Sequence, residues 1–282
     1  MIYITIKNMS MLIASHPSYP QRLSPDDDNY SENCPYFEDP VLNKFAGVWA
    51  DYTTISYSDL KRRLVWKHGI LVTLESANIK FHNYKPVTPI RTGIQGRGLL
   101  GRFGPNHAAD PIVTRFNFMT LDFEFVAALR NDCGKFCIPG GMVDPGESVS
   151  LTLRREFKEE VASECSDEIL DRIFSNGTTL YTGPTYGDPR TTDNAWIETY
   201  VVHYHLDFNF ANKIKLTPQL SENRAVRWIS CDSPDLYGDH AKFVKMAKRN
   251  AQVIVLKKCT LNLLQWVLIP SILIYGVNSM FK

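Results

Sequence analysis

The alternation of apolar and polar positions is clearest in the second half of the chain. Trp196 to His205 (WIETYVVHYH) alternates in the manner of a half-buried strand. Phe123 to Leu129 (FEFVAAL), Ile70 to Leu74 (ILVTL) and Ala225 to Ile229 (AVRWI) are short apolar runs that predict further strands. Val149, Leu153, Phe157 and Val161 recur every four residues, which predicts a helix over Val149 to Ala162. Leu170 to Phe174 and Asp239 to Asn250 predict two more. Strands and helices in alternation imply a layered α/β domain that begins near residue 115.

The flanking segments follow other rules. Residues 18–40 are rich in Pro, Ser, Asp and Tyr and read as an extended arm. Arg91 to Pro111 (RTGIQGRGLLGRFGPNHAADP) carries repeated glycines and Pro105, which exclude a regular helix and predict a compact, shaped loop. The predicted organisation is therefore an arm over 1–40, a smaller N-terminal domain over 41–114, the main domain over 115–252 and a tail over 253–282. Thr260 to Phe281 is uncharged and bracketed by Lys257-Lys258 and Lys282. Its length suits one bilayer crossing of roughly 20 residues. Asn262, Gln265, Pro270 and Asn278 dilute its hydrophobicity, so a membrane anchor, a buried helix and an aberrant terminus all stay open.

Composition narrows the function classes. Lys plus Arg number 31 against 30 for Asp plus Glu, a net charge of +1, which excludes a general nucleic-acid binder and confines phosphate recognition to a local site. The six cysteines are scattered, with no Cys-x-x-Cys pair. They read as thiols of a reducing compartment, so the expected location is intracellular, cytoplasmic or mitochondrial. Lys7-Asn8 breaks the apolar start, which makes a poor secretory signal. His203 and His205 alternate on one strand face without a third metal ligand in view.

The chemistry concentrates between Pro139 and Ser163 (PGGMVDPGESVSLTLRREFKEEVAS). Tight glycine turns lead into the helix, and Glu156, Glu159 and Glu160 crowd one of its sides at i, i+3 and i+4. Three like charges there repel, and a hard divalent cation, Mg2+ or Mn2+, would relieve the repulsion. The apolar stripe anchors the helix while the next stripe offers carboxylates.

This segment resembles the Nudix box. Gly141, Glu147, Arg155, Glu156, Phe157, Glu159 and Glu160 fall on its positions, while Ala162 and Ser163 replace its closing glycine and apolar residue. That departure bears on how the helix ends rather than on the carboxylates. The resemblance implies a Nudix fold, a mixed sheet sandwiched between helices with a smaller N-terminal domain. It implies metal ligation by Glu156, Glu159 and Glu160, assisted by the Gly140 carbonyl, and an ion pair of Glu147 with Arg155. Gly96 to Pro111 and Tyr186 to Thr199 (YGDPRTTDNAWIET) are similar to the mitochondrial-type ADP-ribose pyrophosphatases of that family and to the Nudix-like domain of the ADP-ribose-gated melastatin channel.

The expected function is hydrolysis of ADP-ribose to AMP and ribose 5-phosphate by a monomer. A non-catalytic ADP-ribose sensor and a hydrolase of another nucleoside diphosphate derivative are the alternatives. Retention of all three box carboxylates favours catalysis. Asp188, Arg190, Asp193 and Asn194 suit ribose hydroxyls, Trp196 or Phe103 could stack on adenine, and Arg97 and Arg102 could meet phosphate oxygens. Glu198, on the strand that follows, is a further candidate ligand or base.

Overall fold

The computed structural model describes the backbone of residues 36–38 and of 50–280, apart from 53–54, 68–69, 89–91, 186 and 234, and side chains between 50 and 260. Most of the predicted arm lies outside the described residues. At its end, β1 (Tyr36–Glu38) runs parallel to β6 (Gln95–Gly98).

The N-terminal unit is built of short elements. Helix α1 (Tyr57–Arg62) is capped by Ser56, which accepts the Asp59 N–H. It precedes two small antiparallel ribbons, β2 (Leu64–Lys67) with β3 (Ile70–Thr73) and β4 (Phe81–His82) with β5 (Lys85–Pro86). Leu60, Val65, Leu74 and Phe103 form its buried core.

The main domain is a seven-stranded mixed sheet. Its path runs β11 (Thr178–Pro184), β12 (Ala195–Leu206), β7 (Gly104–Asn117), β8 (Asp122–Arg130) and β13 (Asn223–Ser230); β9 (Phe136–Cys137) pairs with β8, and β10 (Gly141–Met142) with β7. β12 and β7 are parallel over twelve residues, from Ala195 against Gly104 to Leu206 against Arg115. The strands expected at 70–74, 123–129, 196–205 and 225–229 all form, each with slightly different limits.

The glycine-rich stretch departs from the expectation of a loop. It supplies β6 and then opens the long central strand β7, which runs through the boundary expected at residue 115. Small residues explain both points. Ala108 and Ala109 fit a strand flanked by β12, β8 and β10, where larger side chains would not. The central strand of the main sheet therefore begins inside the Gly-rich segment.

Helices cover both faces of the sheet. On one side α2 (Val149–Val161), α3 (Asp167–Phe174) and α4 (Phe208–Ala211) pack through Phe157, Val161, Leu170, Ile173 and Phe210 onto Val113, Val126 and Tyr204. On the other, α5 (His240–Met280) packs through Phe243, Val244 and Ala247 onto Ile112, Phe125 and Val201. Among the described residues no helix is long and apolar enough to cross a membrane. The side chains of the uncharged tail beyond Thr260 lie outside the description.

Helix α2 starts where Ser148 accepts the Leu151 N–H, and its buried stripe is Leu153, Phe157 and Val161. Its end explains the missing glycine. Ala162 has φ −142°, a conformation open to any residue, and forms a parallel bridge with Thr217. Phe157, fully buried, meets Phe174 edge-on at 5.6 Å. Phe157→Ala is expected to lower unfolding free energy by roughly 3–5 kcal/mol, read from urea denaturation.

Candidate active site

One cavity of 310 Å3 lies where β7, β12, the loop after β9 and the start of α5 meet. Its carboxylate wall comes from α2. Glu160 is buried, and its Oε2 accepts the Gly140 N–H at 3.1 Å. Glu156, one turn earlier, lies directly against Gly141, where any Cβ would collide with its carboxylate. Gly140 is equally restricted by the Ala109 carbonyl and Asp110. The two glycines thus let the loop close onto the helix.

Burial shapes the charge of this wall. It pushes the Glu156 carboxyl up to about 7, against the pull of Arg155. Burial raises Glu160 too, opposed by the Gly140 N–H and reinforced by the nearby charges of Glu156 and Glu222. Buried Asp110 is raised to about 6 and accepts a hydrogen bond from the Thr199 hydroxyl. In all three, burial outweighs the hydrogen bonds and the Arg155 charge that favour the ionised form.

A brace holds the wall in place. Arg155 Nε and Nη2 each donate to Glu147 at 2.9 Å, Nη2 reaches the Met142 carbonyl at 3.2 Å, and Nη1 reaches Glu156 at 2.8 Å and Glu159 at 3.2 Å. The Thr152 hydroxyl donates to Glu147 at 2.7 Å. Arg155 is the main cause that draws the Glu147 carboxyl from 4.5 down to about 2. A folded-state value below the unfolded one gives stability above pH 4.5 that is lost as pH falls towards 2. Glu147→Gln is therefore expected to flatten the pH dependence of unfolding free energy across that window, measured by urea denaturation at stepped pH.

The opposite wall is cationic and aromatic. Asp188 and Arg190 form a two-pronged pair at 3.0 and 2.9 Å, and the Arg190 N–H also donates to Asp188 at 2.8 Å. Arg190 holds the Asp188 carboxyl below its ordinary value despite burial. Arg130 lies 4.5 Å over the Tyr237 ring. His240 Nδ1 accepts the Ile138 N–H at 2.8 Å, which leaves the proton on Nε2. Asp239 accepts the Gly187 N–H at 3.1 Å and so ties the 185–194 loop to the start of α5.

The predicted site residues divide into two groups. Glu156, Glu160, Gly140, Asp188 and Arg190 line the cavity. Glu159 stands half-exposed on the adjoining side of α2, with Arg155 and Glu147 behind the wall. The others gather beneath the N-terminal unit. Arg97 is fully buried and donates to the carbonyls of Asp51 and Gly101. Phe103 sits in the small core under Lys85. Asp193 accepts the Thr92 and Gly93 N–H groups, and Asn194 joins Gly96 to Pro86. The Arg102 backbone is bound by Asn106. Buried Trp196 donates to Glu198 at 3.0 Å.

Sequence reasoning did not find Asp110, Arg130, Glu222, Tyr237 or His240. Tyr237 and His240 flank the start of a predicted helix, a position with a detectable cue but no chemical motif. Glu222 joins Glu156 and Glu160 only through the fold.

A divalent metal fits the donor set on its chemistry. Glu156 and Glu160 offer hard oxygens in one poorly solvated space, with proton affinities raised chiefly by burial, and the exposed Glu222 adds a third carboxylate to the cavity lining. Among the described residues, no three histidine, cysteine or acidic side chains already converge on one point.

The NUDIX domain family matches residues 119–247. The chain carries a NUDIX domain. It is 50% identical over 169 residues to a Caenorhabditis elegans protein named as a nudix hydrolase, covering 59% of this chain and 64% of that protein. It is 41% identical over 231 residues to the mitochondrial ADP-ribose pyrophosphatase of Rattus norvegicus, covering 72% of this chain and 65% of that enzyme. A transient receptor potential M2-like channel of Nematostella vectensis is 43% identical over 188 residues, 58% of this chain and 12% of the channel. The chain thus spans just under two thirds of the first two relatives. The match places the box, α2 and the start of α5 within the NUDIX domain.

Proposed function

We propose that the protein hydrolyses the diphosphate of ADP-ribose, giving AMP and ribose 5-phosphate, with Mg2+ or Mn2+ as cofactor. The observation that carries this reading is the paired character of one cavity. A wall of carboxylates with raised proton affinity faces a wall of arginine, tyrosine and histidine. Glu156, Glu160 and Glu222, with the Gly140 carbonyl and Glu159 at the margin, are the residues that would hold metal. A divalent ion bound there neutralises diphosphate charge and makes water a stronger nucleophile.

The protein's own groups do the remaining work. Arg155 fixes Glu156, Glu159 and Glu147 in one array, so the carboxylates need little reorganisation on binding. Arg190 and Arg130 oppose the carboxylate wall and suit phosphate oxygens. The Asp188 carboxylate and the His240 Nε2–H suit sugar hydroxyls. Asp193 and Asn194 act from behind, by holding the 185–194 loop to Pro86, Thr92, Gly93 and Gly96, while Arg97, Phe103 and Trp196 are buried in support. Glu198 stays a candidate base through its place beside Trp196.

The 41% identity to the rat ADP-ribose pyrophosphatase supports the substrate. We place the enzyme inside the cell, in cytoplasm or mitochondria, as a monomer. The unpaired state of the described cysteines and that relative's mitochondrial name support the location. A membrane role for the tail stays a separate proposal, resting on its uncharged sequence.

A substrate panel tests the reading. ADP-ribose, a diadenosine polyphosphate, a nucleotide sugar and coenzyme A are compared by kcat/KM with Mg2+. ADP-ribose is expected to lead the panel. Preference for another member overturns the substrate, and binding of ADP-ribose without product overturns the enzyme.

A further inference from the structure

His203 and His205 lie on β12, with His205 about 20 Å along the strand from Thr199 of the catalytic cavity. Thr114 of β7 sits between them, its Oγ1 2.7 Å from His203 Nε2 and 2.8 Å from His205 Nδ1. Asn250 of α5 reaches His203 Nδ1 at 2.8 Å through its Nδ2. The direction of every bond follows from that amide. Nδ2 donates, so His203 Nδ1 accepts and its proton resides on Nε2. His203 Nε2–H then donates to Thr114, whose hydroxyl proton goes to His205 Nδ1. His205 is left with its proton on Nε2, which makes no hydrogen bond among the described residues. Burial pushes both imidazoles well below neutrality, His205 to about 4, so each is uncharged at physiological pH.

His205 lines a second cavity, of 200 Å3, together with Arg172 of α3, Lys258 of α5, Ser175 and Asn176. Two cations from separate helices therefore meet an N–H donor whose tautomer is set from the interior. Arg172 is held by stacking, its guanidinium 4.0 Å from the Phe210 ring. The acid of the lining, Asp207, is already engaged. It accepts the Phe210 N–H at 2.9 Å and stands 3.9 Å from Arg172.

We propose that this cavity is an anion subsite for the phosphate group of a small phosphorylated molecule. Arg172 and Lys258 supply charge, and His205 Nε2–H supplies a directed neutral donor. Tetrahedral oxyanions suit donors that converge from three elements, and the cavity's size admits a phosphate with a short carrier. The relay from Asn250 to Thr114 holds His205 as a donor, where the other tautomer would offer a repelling lone pair. The proposal does not depend on ADP-ribose hydrolysis.

The test is long-range proton–nitrogen NMR of the histidine rings in the full chain, titrated with inorganic phosphate and, at equal ionic strength, with chloride. The free protein is expected to show Nε2–H on both rings. Phosphate is expected to shift His205 Nε2 saturably, and chloride is not. Lys258→Met and Arg172→Met, both at exposed positions, are each expected to weaken binding about tenfold. Thr114→Val is expected to free the His205 tautomer and weaken binding with both cations in place. Glu160→Gln is expected to leave the His205 titration unchanged, which separates this site from the catalytic cavity. A His205 Nδ1–H tautomer, a shift that chloride reproduces, or phosphate binding indifferent to Lys258→Met would overturn the proposal.

Discussion

Glu160→Gln is expected to lower kcat for ADP-ribose on the order of 1000-fold, about 4 kcal/mol of lost transition-state stabilisation. Glutamine keeps the size of the side chain and an oxygen that can accept the Gly140 N–H, so the loop stays docked. What disappears is one buried negative charge beside Glu156 and Glu222. The same change removes like-charge repulsion, so unfolding free energy is expected to hold or rise. That opposition, activity lost while stability is kept, is what a functional carboxylate predicts and a structural one does not. Urea denaturation and AMP release on one preparation measure both.

Gly141→Ala carries the second large effect, through geometry alone. The added methyl would collide with the Glu156 carboxylate, the mobile end of a side chain that Arg155 binds at 2.8 Å. Relief comes from displacement of that carboxylate out of its place beside Arg155. A displacement of the Glu156 carboxylate near 1 Å is expected to lower kcat/KM about 100-fold, with the box carboxylates all still present. Gly146→Ala is the control. It has open space around its Cβ position but φ +85°, so its effect is expected on stability rather than on turnover.

How much of this was legible in the sequence depends on the range of the interactions concerned. Helix α2 was readable because its stripe and its carboxylates are both local. Glu147 and Arg155 were readable as partners only through the resemblance, and the structure shows the pair. The Gly-rich stretch was misleading because glycine and alanine mark close packing as well as loops. Beside β12, β8 and β10, the segment from Gly104 becomes the central strand.

The substrate loop shows the same limit. Asp188 and Asp193 look equivalent in sequence, yet one lines the cavity while the other binds the Thr92 and Gly93 N–H groups. Arg97 and Phe103 were chemically suited to phosphate and adenine, and their burial follows from contacts with Asp51 and Leu74 that no local pattern encodes. Glu222 and His240 reach the cavity through long-range topology, so no spacing rule could reveal them. Apolar periodicity reports which face is covered, whereas cavity membership depends on what covers it.

The most direct measurement is product analysis of the full chain incubated with ADP-ribose and Mg2+, beside the Glu156→Gln, Glu160→Gln double variant. The wild-type chain is expected to release AMP and ribose 5-phosphate in equal amounts, and the double variant neither. AMP release that persists in the double variant, or its absence from the wild-type chain, would contradict hydrolysis at this carboxylate wall.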